Sequence, residues 1–281
     1  MLVEEELAGL DALELAEATG PSVTRRVWSA LWPKAAAFAL FLAAWQVVVW
    51  SGWKPDYVLP PPGRVLAELR SQVADGTILD ALRLTLSRAA KGFAFALVAG
   101  VGVGALVSRV AVLRTAVGSM ITGLQTMPSI AWFPLAILLF EISESAILFV
   151  VVLGAAPSIA NGVIAGADQV PPLLLRAGTV LGASGFGLWR HVVLPASLPG
   201  FVAGVKQGWS FAWRSLMAGE LLVIVAGQQS VGVLLQVARD LNDAEGLVAA
   251  MVFIWVIGVA VDAAVFGTIE RRIARRRGLL A

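Results

Sequence analysis

The chain has 281 residues, of which 58% are hydrophobic and only 14% charged, with a formal net charge of +2 and a mean hydropathy of +0.83. A single soluble core cannot hide that much apolar surface, so most of it must face lipid. With no cysteine and one histidine, His191, disulfide frameworks, thiolate metal sites and a histidine metal cluster are excluded.

The first twenty residues carry Glu4, Glu5, Glu6, Asp11, Glu14 and Glu17 and no base. That is the opposite of a signal peptide's positive start and predicts a cytoplasmic tail. Ser22 is placed to cap a short helix in which Val23, Val27, Trp28, Leu31 and Trp32 share one face and Arg25 and Arg26 another. Such a helix lies in the membrane interface and completes an N-terminal region, 1–34. The alternative is a plain extension of the first span.

A helix needs about 20 apolar residues to cross roughly 30 Å of hydrocarbon. Runs of that kind occur at 35–53, 92–108, 115–140, 146–167, 195–222 (interrupted by Lys206 and Arg214) and 247–261. They predict an all-α integral membrane domain, 35–281, of six transmembrane helices. The second helix is expected to start earlier, near Leu82, with Arg88 and Lys91 reaching back to the surface from its end. Before it, Pro60-Pro61-Pro62-Gly63 punctuates a long loop, and a short amphipathic helix is expected through Val65, Leu66 and Leu69. A further run, 221–238, is broken by Gly227-Gln228-Gln229-Ser230, and is read as the end of the fifth helix and a loop. Lys and Arg accumulate on the side holding Arg25, Arg26, Arg109, Arg114, Arg176, Arg190 and Arg271 to Arg277, which places both termini in the cytoplasm.

Glycines recur at four-residue spacing: Gly100 and Gly104, Gly162 and Gly166, and Gly200, Gly204 and Gly208. This spacing lets helix backbones approach closely in lipid. The Gly100 to Gly104 stretch lies inside a span and lacks the continuation of a dinucleotide fingerprint.

Between the fourth and fifth spans lies a polar, glycine-broken island within residues 168–197. Asp168, Pro171 and Pro172 are suited to starting a helix, Leu173 to Leu181 to continuing it, and Gly182 to a sharp bend into a second short helix. Gly182 is followed by nine residues, then Val192, then Leu194 and Pro195. The pattern resembles the cytoplasmic Glu-Ala-Ala motif of ABC importer permeases: Glu-Ala-Ala, three residues, Gly, nine residues, Ile, any residue, Leu-Pro. The stretch from Leu124 through Pro128 and Trp132 to Ile137 is similar to the third-helix signature of permeases for sulfonates, taurine, nitrate and bicarbonate. Ala212-Trp-Arg-Ser-Leu-Met-Ala-Gly-Glu220 resembles their fifth helix.

The resemblance implies a type I ABC importer permease fold with a cytoplasmic coupling helix between helices four and five. It also implies a second permease copy, two cytoplasmic ABC ATPases carrying ATP and Mg, and an extracytoplasmic substrate-binding protein, in a bacterial inner membrane. Arg176, Ala177, Gly178, Gly182, Val192, Leu194 and Pro195 are then the ATPase-coupling residues. One departure stands out: Arg176 occupies the family's leading Glu position, so any contact made by that acid is replaced or lost.

The lysines Lys34, Lys54, Lys91 and Lys206 are followed by Ala, Pro, Gly and Gln. No Gly-Lys-Ser/Thr phosphate loop therefore exists, and ATP must be hydrolysed by a separate subunit. No nucleophile elbow, zinc motif or triad is present, so no enzyme, no cofactor in this chain, no metal and no nucleic-acid partner are expected.

In the fifth helix Lys206, Ser210 and Arg214 recur every four residues, with Arg214 roughly 22 Å beyond Pro199. A cation so deep in a span needs a partner or a cavity. These three, Glu220 near the helix end, and Pro128 and Trp132 of the third span form the expected substrate pathway. Pro128, Pro134 and Pro157 each remove a helix hydrogen bond where a cavity can satisfy the freed carbonyl. The expected substrate is a small anion, an aliphatic sulfonate or taurine, with nitrate, bicarbonate and a pyrimidine precursor as alternatives. An ATP-independent channel or secondary carrier is the alternative class. A carrier should show inverted repeats or paired coupling-ion residues, and neither is found.

Overall fold

A computed structural model describes residues 23–276, so the acidic tail and the capping role of Ser22 lie outside the described residues. All regular structure among the described residues is helical. The chain divides into two compact units, with the division between Arg64 and Val65.

In the first unit, α1 (Val23–Trp50) runs unbroken through Pro33. Among the described residues no separate interfacial helix precedes the span. Trp28 and Trp32 lie near one end of its apolar stretch, Leu31–Trp50, and Trp50 and Trp53 at the other, the placement of aromatic residues at two membrane surfaces.

The second unit begins within α2 (Pro62–Ala74), the expected amphipathic helix, whose Val65 is buried. Then come α3 (Thr77–Arg109), α4 (Ala111–Thr126), a 3-10 turn (Ser129–Trp132), α5 (Phe133–Phe140) and α6 (Glu144–Asp168). The island contributes α7 (Pro172–Val180) and α8 (Gly185–Leu188). A π turn (Trp189–Val193) leads into α9 (Leu194–Leu222), followed by α10 (Val231–Asp240) and α11 (Ala244–Val261). A second π turn (Asp262–Phe266) joins α11 to α12 (Gly267–Arg276).

Among the described residues, four stretches are long and apolar enough to cross a membrane: Leu31–Trp50, Thr77–Arg109, Glu144–Asp168 and Ala244–Arg276. A fifth arises if Val112–Thr126 and Ser129–Phe140 count together, but these two are bent by 102°. The third span is thus broken at Met127 and Pro128, at one of the expected proline positions. Pro128 precedes the 3-10 turn and Pro134 sits in the first turn of α5, where a missing N–H costs nothing. Of the three prolines expected to break a helix, Pro157 alone lies within one, buried in α6. The 29-residue α9 is long enough to span but holds Lys206, Gln207 and Arg214. The run after it is also not all loop, since its residues 231–238 belong to α10.

The core is the contact of α6 with α3 on one side and α9 on the other. The spaced glycines make these contacts. A Cβ at Gly162 would lie 2.5 Å from the Cα of Gly204, and one at Gly200 would lie 2.7 Å from the Cα of Gly166. On the α3 side, a Cβ at Gly100 or Gly104 would meet the carbonyl oxygens of Ala156 and Ala160 at 2.7 and 2.8 Å. Backbones therefore touch backbones along both seams, as expected for helix packing where lipid removes the usual hydrophobic drive. Phe93 adds edge-to-face contacts with Trp209 at 5.3 Å and Phe266 at 6.5 Å, tying α3 to α9 and to the second π turn.

The seams predict a position-dependent cost of one methyl group. Gly162→Ala and Gly204→Ala should each destabilise by about 1–3 kcal/mol, because the neighbour is backbone and cannot rotate away. Gly102→Ala, on α3 with nothing within 4 Å of the new atom, should be neutral or stabilising by up to about 1 kcal/mol. Thermal unfolding of the detergent-purified protein measures all three, and equal effects would refute the seam.

Candidate functional site

Three groups of residues stand out: a buried polar node near one end of α3, an exposed charged face on α9, and the island at the other end of α3. Arg88 lies about 32 Å along α3 from Arg109, at 1.5 Å per residue.

At the node, Arg88 and Glu220 are fully buried. Arg88 Nη1 donates to Glu220 Oε1 at 3.1 Å, and Arg88 Nη2 donates to Gln228. Thr85 Oγ1 donates to Glu220 Oε2 at 2.9 Å and accepts from the Val231 backbone N–H at 3.0 Å. Glu220 Oε2 also accepts from the Gly232 N–H at 3.2 Å. One carboxylate thus gathers α3, the end of α9 and the start of α10, and the loop between α9 and α10 is pinned at Gln228. Beside this loop is a cleft of about 610 Å³ lined by Asp80, Leu84, Ile224, Gln228, Gln229 and Val233, among others.

One expectation changes here. Arg88 does not reach to the surface but turns inward, because it shares a helix face with the small buried residues Ala81, Thr85, Gly92 and Ala96. Glu220 is a hydrogen-bond acceptor that anchors three elements. Lys91 does behave as expected of an exposed side chain and pairs with Glu144 at 3.0 Å.

On α9, Ser210 and Arg214 are exposed on one face, and Lys206 is half-buried beside them. Lys206 Nζ lies 3.2 Å from Glu270 Oε2 and 3.5 Å from Asp262 Oδ2, so its charge is countered by α12 and the second π turn. The expected positive stripe therefore reduces to Arg214. Its Nε donates to the Ser210 carbonyl at 3.1 Å, and its guanidinium lies 4.7 Å from the centre of the Phe211 ring. Among the described residues no carboxylate pairs with it. Pro128 is exposed at the bend, and Trp132 is half-buried against the core. The 3-10 turn between them packs on α6 and α9. Asn161 of α6 donates to Gln125 at 2.6 Å and holds the end of α4 next to this bend.

The island is a closed body. Helix α7 ends in a hydrogen-bonded reversal in which the Ala183 N–H reaches the Gly178 carbonyl at 2.9 Å and the Gly182 N–H reaches Thr179 at 3.0 Å. That reversal needs a left-handed residue, and Gly182 supplies it with φ 87°. Gly178 is buried, and a Cβ there would meet Leu188 at 2.7 Å and Val192 at 2.8 Å, so the two halves close on one another. Arg176, Ala177, Gly182, Leu194 and Pro195 are exposed, as are Leu173, Leu174, Val180, Leu181 and Phe186. Exposed apolar groups rimmed by Arg176 and Arg190 form the kind of patch that marks a protein contact.

The matching family model is described as a binding-protein-dependent transport system inner membrane component and covers residues 82–275. The chain is 25% identical over 237 residues to the nitrate import permease of Synechocystis sp., covering 81% of this chain and 84% of that protein. It is 26% identical over 229 residues to the taurine transport system permease of Escherichia coli, covering 80% and 82%. An inward-facing structure of the MetNI methionine ABC transporter has the same fold, with a TM-score of 0.59 at 21% identity over 70% of this chain and 95% of that one.

The node predicts a charge-specific cost. Glu220→Gln keeps an acceptor oxygen but leaves Arg88 buried without its counter-charge, and should lower stability by about 3–5 kcal/mol. Arg88→Gln combined with Glu220→Gln should recover part of that loss, because two neutral amides can still bond each other. Unfolding of the single and double variants in detergent decides it, and a double variant worse than the sum of both singles would rule out the pairing as the cause.

Proposed function

This chain belongs to the family of binding-protein-dependent transport system inner membrane components, as an ABC importer permease of the sulfonate, taurine and nitrate type, and we propose that it moves a small anion inward by ATP-driven alternating access. Two permease copies, two cytoplasmic ABC ATPases and an external binding protein complete the machine, and ATP and Mg belong to the ATPases. The chain crosses the inner membrane six times, with both termini and the island in the cytoplasm. The island is the coupling helix, and Arg176, Ala177, Gly178, Gly182, Val192, Leu194 and Pro195 form or support its docking face.

The observation that carries the anion is Arg214. A guanidinium deep in a span is costly unless a partner or water meets it. Three other cations of the bundle, Arg88, Lys91 and Lys206, have carboxylate partners. Arg214 has none among the described residues, and its exposed position with Ser210 supports a role in a passage that attracts negative charge. Pro128 and Trp132 line the same route in this reading, and Lys206 stands at its edge. An aliphatic sulfonate or taurine is the favoured substrate. Nitrate remains the alternative, since the chain is nearly as similar to a nitrate permease as to a taurine permease.

Arg214→Gln should cut uptake of a radiolabelled sulfonate into cells carrying the complete transporter while the ATPase still copurifies, and Arg214→Glu should cut it further. Loss of copurification would make Arg214 structural, and unchanged uptake would remove it from the route.

Gly182→Val tests the island. No atom lies within 4 Å of the new Cβ, so the strain is in the backbone, where a branched side chain is a rare occupant of positive φ. The variant should insert and dimerise, yet lose ATPase copurification or the change in turnover on adding loaded binding protein. Wild-type transport would overturn the docking role.

A further inference from the structure

Helix α3 ends at Arg109, helix α4 begins at Ala111, and Val110 between them is the single non-helical residue, with φ −114° and ψ 106°. Two cations straddle it. The Arg109 guanidinium lies 4.6 Å from the centre of the Trp189 ring, which belongs to the island's π turn. Arg114, in the first turn of α4, pairs with Asp168, the last residue of α6 before the island. Trp189 is in turn stacked on Phe186 of α8, with ring centres 6.0 Å apart and planes 24° apart.

The island is joined covalently to α6 at Asp168 and to α9 at Val193. We propose that Arg109 and Arg114 form a third attachment, a latch that fixes the α3–α4 elbow to the island, so that a displacement of the island redirects α4 and with it the bend at Met127 and Pro128. This rests on the reading of the island as the ATPase dock. Arg114 and Asp168 are both half-exposed, and one such pair holds weakly alone. Two grips on opposite sides of a one-residue junction act on its direction, because a helix leaving a single hinge has little freedom once both flanks are held. The far end of α4 is held as well, through Gln125 and Asn161, so that motion given to its first turn reaches the bend as rotation of a short rigid rod. Arg109 and Arg114 are positioning residues in this scheme and touch neither the ATPase nor the substrate.

The absence of cysteine allows a substrate-independent test. Met127→Cys places one thiol at the exposed bend, and its reaction rate with a maleimide is measured in the assembled transporter, with and without ATP and vanadate. The rate should depend on nucleotide in the latched protein. In that background, Arg114→Asp and Asp168→Arg should each reduce the dependence by about tenfold, within the usual range of coupling between sites, while the ATPase still copurifies. The double exchange, Arg114→Asp with Asp168→Arg, should restore it. Trp189→Leu should reduce it and Trp189→Phe should retain it, since a phenyl ring still meets a cation. Undiminished dependence in the single variants, or no restoration on exchange, would overturn the latch while leaving the dock intact. Loss of copurification in the single variants would place these residues in the dock itself and equally overturn the latch. If the parent protein fails to copurify with the ATPase at all, it is the dock that fails.

Discussion

Backbone contact between helices is the constraint on which the rest of the structure depends. Where Gly162 meets Gly204 and Gly100 meets the Ala156 carbonyl, no side chain separates the helices. Contacts at such range leave no room for one helix to shift against another without losing dispersion along the whole seam. Side chains flanking the seams are then enclosed, and any polar group among them must find its partner inside. Arg88 and Glu220 are the outcome: a charge pair that closes one end of the bundle because the packing has removed water from it. Such a pair adds little net stability over an apolar equivalent, yet it fixes which residues meet. Here it fixes the loop after α9 through Gln228 and the start of α10 through the Gly232 N–H.

The seams were legible in the sequence because four-residue glycine spacing has one cheap meaning inside an apolar helix. The island was legible for a related reason. Prolines at 171 and 172 and a glycine at 182 constrain the backbone locally, and the helix, reversal and second helix follow from that local chemistry. Arg88 carries two opposed signals. Ala81, Thr85, Arg88, Gly92, Ala96 and Gly100 recur at three- and four-residue steps, so Arg88 lies on the face that packs. Its charge alone points to the surface, and its phase along the helix decides otherwise. Other features needed partners distant in sequence. Nothing local to Lys206 announces Asp262 and Glu270, and without them the α9 stripe looks more positive than it is. Proline was ambiguous throughout, since Pro33, Pro157 and Pro199 lie inside helices whereas Pro128 stands at a break. Whether a missing hydrogen bond bends a helix depends on what surrounds the freed carbonyl, which sequence does not state.

Pairing sorts the charges of the bundle by task. Arg88 with Glu220 and Lys91 with Glu144 join neighbouring helices, and Lys206 joins α9 to the last helix. A charge satisfied within the chain contributes little to the field felt by a passing ion, because its counter-charge travels with it. Arg214 differs in having only a backbone carbonyl and an aromatic ring for company, neither of which cancels a positive charge. The same comparison sets Glu220 apart from Arg214: its charge is engaged by Arg88, Thr85 and Gly232.

A bundle welded along its length can change shape only at its joints, and the joints are few. Val110, Gly182 and the Met127 and Pro128 bend are three places where the backbone leaves helical geometry within or beside the welded group, and the loop after α9 is another. That loop is held by the buried node through Gln228, unlike the first three. All three are connected to the island, Gly182 by belonging to it, Val110 through Trp189 and Asp168, and the bend through α4. The island end of α3 carries the Val110 joint, and the buried node lies some 32 Å along α3. The small residues that bring the helices together and the charge pairs at the two ends of their seams are therefore parts of one packed unit, in which a polar group is kept only where the chain itself supplies its partner.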